Sequence, residues 1–476
     1  MTSTATGAAA GLPAAKPVAD TENCPKTPNG GPRAFLHRMH TIAGILVAPL
    51  LIIAALTGVA YAVSPAIEKV VYSEQTTATS PLPPHSLADQ VAAARKLHPD
   101  LQVEAVQTYD DPTRTTHVLF LDKTLPSKSY HRVVFVDPGD LAIRGDTVQY
   151  GSTAALPLRT WISEGHKRLW FDSNVGRLYS ETAAAWMGAL TIAGLWLWWD
   201  RSRRGRNKAT SARGRHMRRH ARVGVWLSVG LLFLTATGLT WSWVAGSGIK
   251  QVREAMDWFA PKPNTAITAA VTPGAAGAAG AHAGHDAHAG HGMSAGPTGA
   301  STEVWNQADV VDQVAREAGL VGKLELIPPA DGAAWVAKEA RQEWRLGMES
   351  AAIDGATGDV VDRVTFSEWP LAAKLTEWTI NAHMGFLFGW VNQLVLGAIG
   401  VGLIAMIIRG YAMWFGRGRG RRPGRLPVPT RWRDIRPSVA AAIVVALVAY
   451  SVIAPLFGIT LVLFAAVDWA WRKARS

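Results

Sequence analysis

HTIAGILVAPLLIIAALTG (residues 40–58) and HARVGVWLSVGLLFLTATG (residues 220–238) decide how this chain is read. Each opens on a histidine, sets a glycine four residues later (Gly44, Gly224) and closes on Thr-Gly (Thr57-Gly58, Thr237-Gly238), with the threonine seventeen residues after the histidine. Almost everything between those marks is apolar. The first such run, Ile42 to Val63, is 22 residues long, and about 20 apolar residues suffice to cross a hydrocarbon core. A second echo lies downstream. Trp161 precedes His166 by five residues and Trp378 precedes His383 by five, and each segment continues into an apolar stretch ending in aromatics, LWLWW (195–199) and YAMWF (411–415).

Working outward, the spans read as 38–63, 182–199, 221–245 and 379–408, followed by a longer apolar stretch, 438–471, interrupted by Pro455. The loops orient them. Residues 200–220 and 409–436 are dense in Lys and Arg, and short basic loops stay in the cytoplasm. The Ala/Thr/Pro/Gly-rich tail 1–33 then reads as disordered and cytoplasmic, and the polar regions 64–180 and 302–376 lie outside. A kinked single helix over 438–471 would leave the basic end WRKARS outside, so the positive-inside rule favours a hairpin. Basic runs can also bind nucleic acid, but flanked by spans these are explained by topology, and no nucleic-acid partner is expected.

The composition agrees. Of 476 residues 48% are hydrophobic, yet the net charge is +12, as expected when apolar residues sit in spans and basic ones in loops. Cys24 is the only cysteine, which excludes an intramolecular disulfide framework, four-cysteine iron–sulfur ligation and a Cys-rich zinc site. No nucleophilic triad or phosphate-cradling loop stands out, so hydrolysis is not expected.

Each outer region reads as a small α/β unit. Ser86 to His98 has helical apolar spacing, His117 to Leu121 and His131 to Val136 look like strands, and Asp137 to Asp140 is a turn. The second region repeats this with a helix over Asn306 to Ala318, strand-like Trp335 to Ala337 and Trp344 to Met348, and a turn over Ile353 to Asp359. The expected fold is an integral membrane α-helical bundle made of a duplicated two-span unit, carrying two small extracytoplasmic α+β domains. The two copies share one orientation and a pseudo-twofold along the membrane normal.

The histidines then sort by depth. His40 and His220 lie at cytoplasmic ends of spans, and His166 and His383 on the outer side. Imidazoles offered by facing helices are axial ligands for haem iron. The reading is two haems, one near each face, with one haem or none as alternatives. His37 and His216 lie three and four residues before His40 and His220 and compete with them as ligands. A straight helix from His166 to Trp198 would be roughly 48 Å long at about 1.5 Å per residue, too long for a hydrocarbon core of about 30 Å. The outer segments should therefore break near Asp172–Gly176 and Gly385–Gly389. A separate signal sits in the Ala/Gly/His-rich linker 261–301, where His282, His285, His288 and His291 recur every third residue ahead of Met293. Such a set suits Cu or Zn, or serves only as a low-complexity spacer.

The segments LHRMHTIAG…TGVAYAV (36–63), RRHARVG…TGLTWSW (218–243), GHKRLW…GLWLWW (165–199) and NAHMGFLFG…YAMWF (381–415), followed by RRPGR, resemble the PepSY-associated transmembrane proteins, which include iron-regulated inner-membrane proteins and siderophore-iron reductases. The resemblance covers about residues 35–475. It implies a bacterial inner-membrane location with periplasmic PepSY-like domains, haem b held by His40, His220, His166 and His383, and metalloreductase activity toward ferric iron or a ferric siderophore. Some relatives append a flavin-binding reductase domain. Nothing after Arg436 is long or polar enough for one, so the expected electron donor is separate, a quinol or a cytoplasmic reductase. Two other functions compete: a haem-free PepSY binding or accessory protein, and a periplasmic copper- or zinc-handling protein using the linker.

Overall fold

The computed structural model describes residues 31–171, 173–203, 212–267, 303–330, 332–417, 426–427 and 435–473. The linker histidines and Met293, the tail with Cys24, and parts of both basic loops lie outside the described residues.

The chain begins with α1 (Pro32–Leu46) and α2 (Ala48–Val71). The span expected over 38–63 is thus two helices meeting at Val47. Pro49 causes the break, because it has no N–H to give the Ile45 carbonyl four residues back. In a membrane that carbonyl needs another donor, and the Tyr411 hydroxyl supplies it at 2.9 Å. Pro65, inside α2, likewise frees the Tyr61 carbonyl, which the Ser64 hydroxyl satisfies at 2.7 Å.

A short turn, α3 (Ser73–Thr76), leads to α4 (Leu87–Leu97), whose N-cap Ser86 accepts from the Asp89 amide. Four strands follow: β1 (Gln102–Thr108), β2 (Thr116–Leu121), β3 (Tyr130–Val136) and β4 (Ile143–Tyr150). Then come α5 (Pro157–Arg168), α6 (Asn174–Arg203), α7 (Ala212–Thr240) and α8 (Val244–Ala255). The second outer region holds α9 (Ala308–Glu317) and β5 (Leu324–Ile327), β6 (Trp335–Glu339), β7 (Ser350–Ile353) and β8 (Val360–Val364). The chain ends with α10 (Leu371–Met384), α11 (Gly389–Phe415), α12 (Pro437–Ile453) and α13 (Pro455–Lys473).

Among the described residues, α2, α7 and α11 are long and apolar enough to cross a membrane. The segment expected as a span at 182–199 lies in α6, whose charged ends and tryptophans keep it below that standard. The pattern of four equivalent spans is therefore less regular than the sequence reading expected. The C-terminal helices α12 and α13 turn back on each other at Ala454–Pro455. Arg38 reaches both the Pro427 carbonyl, ahead of α12, and Asp468, in the last turns of α13, so both ends of this pair lie on one side.

The outer regions depart most from expectation. They are not two separate α+β domains. Their strands form one eight-stranded antiparallel sheet in the order β4-β3-β2-β1-β5-β6-β7-β8. The two halves join where β1 pairs with β5, with Val106 opposite Leu326 and Gln107 opposite Glu325. Each half carries the same irregularity: the register shifts between Phe135 and Val136 and again between Ala352 and Ile353. Pairing β1 with β5 removes an open edge from each half, and an open edge is an aggregation liability. The expected strand over Trp344 to Met348 is absent. Trp344 adopts φ +65° in a turn, and β7 starts only at Ser350.

One face of the sheet packs under α4 and α9 around Val91, Phe120, Trp305, Val311, Trp335 and Ile353. The opposite face carries a polar row across the junction: His117 pairs with Gln107, Gln107 with Glu325, and Glu325 with Lys338. Burial would raise the Glu325 carboxyl pKa, but the Lys338 ammonium and the Gln107 amide outweigh it and hold it low.

Candidate metal centres

The outer histidine helices are pinned from two directions. Glu68 of α2 accepts from the Leu156 amide at 2.9 Å, just ahead of α5, and pairs with Arg159 at 2.7 Å. Glu377 of α10 receives both Nε and one terminal nitrogen of Arg341 at 2.7 Å, a bidentate pair that is about 4% exposed on each side. The Trp378 indole adds a bond to the Leu346 carbonyl at 2.6 Å.

Helix α10 ends where the length argument expected a break, and α5 ends at Arg168, a few residues ahead of the expected Asp172–Gly176. Leu169 and Trp170 take φ of +53° and +59° after α5, and the Trp170 ring folds back onto Gly165, where a Cβ would stand 2.2 Å from it. Gly385 ends α10 with φ +86°, and the Phe386 amide caps Asn381 at 2.8 Å. Glycine tolerates that left-handed conformation without steric cost.

These breaks turn His166 and His383 onto the spans. The Nδ1 atom of His166 lies 3.0 Å from the Thr57 hydroxyl in α2, and that of His383 lies 2.7 Å from the Thr237 hydroxyl in α7. Gly58, beside Thr57, leaves room for the ring: a Cβ there would lie 3.3 Å from His166 Cε1. The Trp241 ring meets His383 edge-on at 5.0 Å. His166 is within electrostatic reach of His383.

At the other end, His40 of α1 and His220 of α7 face each other with ring centroids 6.3 Å apart and planes at 85°. The His220 Nδ1 donates to the Met406 carbonyl in α11 at 2.9 Å. The His40 Nδ1 is buried with no hydrogen-bond partner among the described residues. Gly194 of α6 makes space for this ring, since its Cβ would lie 3.2 Å from His40 Cε1. One turn past His40, a Cβ on Gly44 would meet no atom of the described residues within 4 Å.

The sequence reading left His37 and His216 as rival ligands. His37 Nε2 is engaged by Arg417 at 3.3 Å, and the ring against His40 belongs to His220. Thr57 and Thr237 entered the sequence analysis only as spacing marks. Their role as partners of His166 and His383 was not foreseen, although a hydroxyl at the same place in two apolar runs was the signal for it.

Two imidazoles at each end are the donors that a haem would ask of the protein. Among the described residues, no group of three or more His, Cys, Asp or Glu could hold a metal ion, whereas a macrocycle brings its own equatorial nitrogens and asks the protein for only two axial ones. Two metal–imidazole bonds of about 2.0 Å each, plus the two half-rings, account for a centroid separation of the size seen between His40 and His220. Metal-bound histidines commonly donate their other ring N–H to a fixed acceptor. His220, His166 and His383 each have such an acceptor at Nδ1, which leaves Nε2 for the metal.

Apolar helices of spanning length joined to an outer sheet, with paired histidines on the helices, describe a membrane protein. The chain matches the family described as PepSY-associated TM region over residues 37–417, and it belongs to that family. A search of curated proteins finds no match to this chain.

Proposed function

We propose that this protein is a haem-containing inner-membrane electron carrier. Electrons enter from a quinol or a cytoplasmic reductase at the His40/His220 end, and leave from the His166/His383 end to an acceptor outside. The repeated anchoring of Nδ1 carries this reading, because it prepares histidines on different helices as ligands without assembling a third protein donor. Thr237 lies seventeen residues beyond His220 within the single helix α7, roughly 25 Å at about 1.5 Å per residue, a separation suited to one centre near each side of a core of about 30 Å.

A bound haem would supply reversible one-electron transfer at its iron. The protein's residues orient the imidazoles that would hold it: the Met406 carbonyl fixes the His220 ring, and Thr57 and Thr237 fix the outer pair. In this topology the basic loops are cytoplasmic, the sheet is periplasmic, and the spanning helices form two related units. The preferred acceptor is ferric iron in a chelate, whose reduction weakens hard-oxygen binding, which makes the protein a ferric reductase-like enzyme.

The test is an absorption spectrum of the full chain purified after expression with ample haem. Soret and α bands of a b-type haem are expected. His40→Ala and His220→Ala should each remove one centre, and His166→Ala and His383→Ala the other. A haem-free protein under these conditions, or losses in any other pairing, overturns the proposal. Protein reduced with dithionite should then be reoxidised by ferric chelates, and faster than by Cu(II).

A further inference from the structure

We propose that Thr57 and Thr237 are positioning residues that hold His166 and His383 in the Nδ1–H tautomer and so commit Nε2 to the metal. The inference rests on the haem reading for what Nε2 binds, but the tautomer itself follows from the hydrogen bonds alone.

A threonine hydroxyl has one proton. That of Thr57 is given to its own helix, with the Ile53 carbonyl at 2.7 Å and the Ala54 carbonyl at 3.2 Å. That of Thr237 goes to the Phe233 carbonyl at 2.8 Å, with the Leu234 carbonyl at 3.3 Å. Such back-bonding to the preceding turn is a common habit of helical threonine. Its consequence here is that the oxygen can only accept from the imidazole facing it. The nitrogen at that contact must therefore carry the hydrogen, and a neutral imidazole has only one. His166 and His383 are accordingly Nδ1–H, with the lone pair on Nε2.

The same device occurs elsewhere in the chain with an unambiguous donor. Thr460 gives its proton to the Leu456 carbonyl at 2.6 Å and accepts from the Trp186 indole at 2.9 Å, and an indole N–H can only donate. The inner centre reaches the same tautomer by another route, since His220 Nδ1 faces a backbone carbonyl. The threonines also fix geometry. Each His and its Thr lie on different helices, so the bond ties α5 to α2 and α10 to α7.

The experiment compares the full-length wild type with Thr57→Val, Thr237→Val and the serine variants Thr57→Ser and Thr237→Ser, in detergent. The first readout is the 15N spectrum of histidine in haem-free protein, assigned with His166→Gln and His383→Gln. Wild type and serine variants should show both rings as Nδ1–H, and each valine variant should shift its own histidine toward Nε2–H. The second readout is haem affinity. Loss of one hydroxyl should weaken the outer centre about 10–100-fold, the usual effect of removing a partner behind a metal ligand, and leave the inner centre's spectrum unchanged. Serine should restore it. Nε2–H rings in the wild type, or valine variants with unchanged tautomer and affinity, overturn the proposal. A wild type that shows the expected tautomers but binds no haem overturns the haem reading and leaves the positioning role standing.

Discussion

Gln107 and Glu325 meet where the two half-sheets join, the Gln107 amide donating to Glu325 Oε2 at 2.8 Å while Lys338 holds the other carboxylate oxygen at 3.0 Å. They are opposed residues on β1 and β5. An acid at both positions would set two carboxylates against each other, and an amide at one of them turns repulsion into a bond.

Gln107→Glu should therefore weaken the junction. Like charges directly opposed across strands are destabilising, and a shared site raises one carboxyl pKa. The expected outcome is a loss of about 1–3 kcal/mol at pH 7 that shrinks as pH falls toward 5 and one carboxyl takes up a proton. Thermal unfolding followed by tryptophan fluorescence at both pH values checks it, and an equal loss at both would count against this account.

The buried Arg341–Glu377 pair offers a sharper contrast. Arg341→Met strands the Glu377 carboxylate and should cost about 3–5 kcal/mol, whereas Arg341→Met combined with Glu377→Met should recover most of that. A double variant no more stable than the single one would show that the pair does more than neutralise itself. Denaturant titration distinguishes the outcomes.

His117 gives the outer sheet its own pH dependence. Neither ring nitrogen has a hydrogen-bond partner among the described residues, and Tyr109 and Phe135 flank the ring at 5.3 and 4.5 Å. Burial, with Lys323 and Arg114 nearby, pushes its pKa well below 6.5. The unfolded chain then takes up a proton below about pH 6.5 that the folded chain refuses. Stability from this group is complete above that pH and is lost as pH falls, by up to about 1.4 kcal/mol per unit. His117→Phe should flatten the stability profile between pH 6.5 and 5, and an unchanged slope would assign the acid sensitivity to other groups.

Gly58 and Gly194 predict separable effects on the two histidine pairs. Alanine at 58 presses on His166 and alanine at 194 presses on His40, each at little more than 3 Å. If the histidine pairs hold haem as proposed, Gly58→Ala should perturb only the outer centre's absorption and potential, and Gly194→Ala only the inner one's. Spectral titration of each variant reads this out, and a shift of both centres by either substitution would contradict it.

Tyr411→Phe removes the donor that covers the Ile45 carbonyl at the α1–α2 break. An unsatisfied carbonyl there should cost about 1–3 kcal/mol, visible as a lower unfolding temperature in detergent. Restoring an intact turn with Pro49→Ala in the same chain should recover it.

Much of this arrangement was legible beforehand. The matched His–Gly–Thr-Gly spacings marked His40 and His220, and the matched Trp–His spacings marked His166 and His383, because a helix converts fixed spacing into fixed depth. Helix length against bilayer thickness asked for breaks near Asp172–Gly176 and Gly385–Gly389; α5 ends a few residues earlier, at Arg168, and α10 at Met384. The fusion of the sheet was not legible. It depends on β1 pairing with β5, strands far apart in sequence, and β5 is only four residues long, too short to show alternation. Helix α8 was read through as the start of a polar region; its N-terminus is fixed by Glu181 of α6, which accepts from the Val244 and Ala245 amides at 2.8 and 2.9 Å, a contact no local pattern announces.

The single sheet makes the two outer regions one plate, and the helices bearing His166 and His383 both hang from it. Through the β1–β5 pairing a displacement of one half-sheet is carried to the other, so the two helices move together, as two shafts on one yoke.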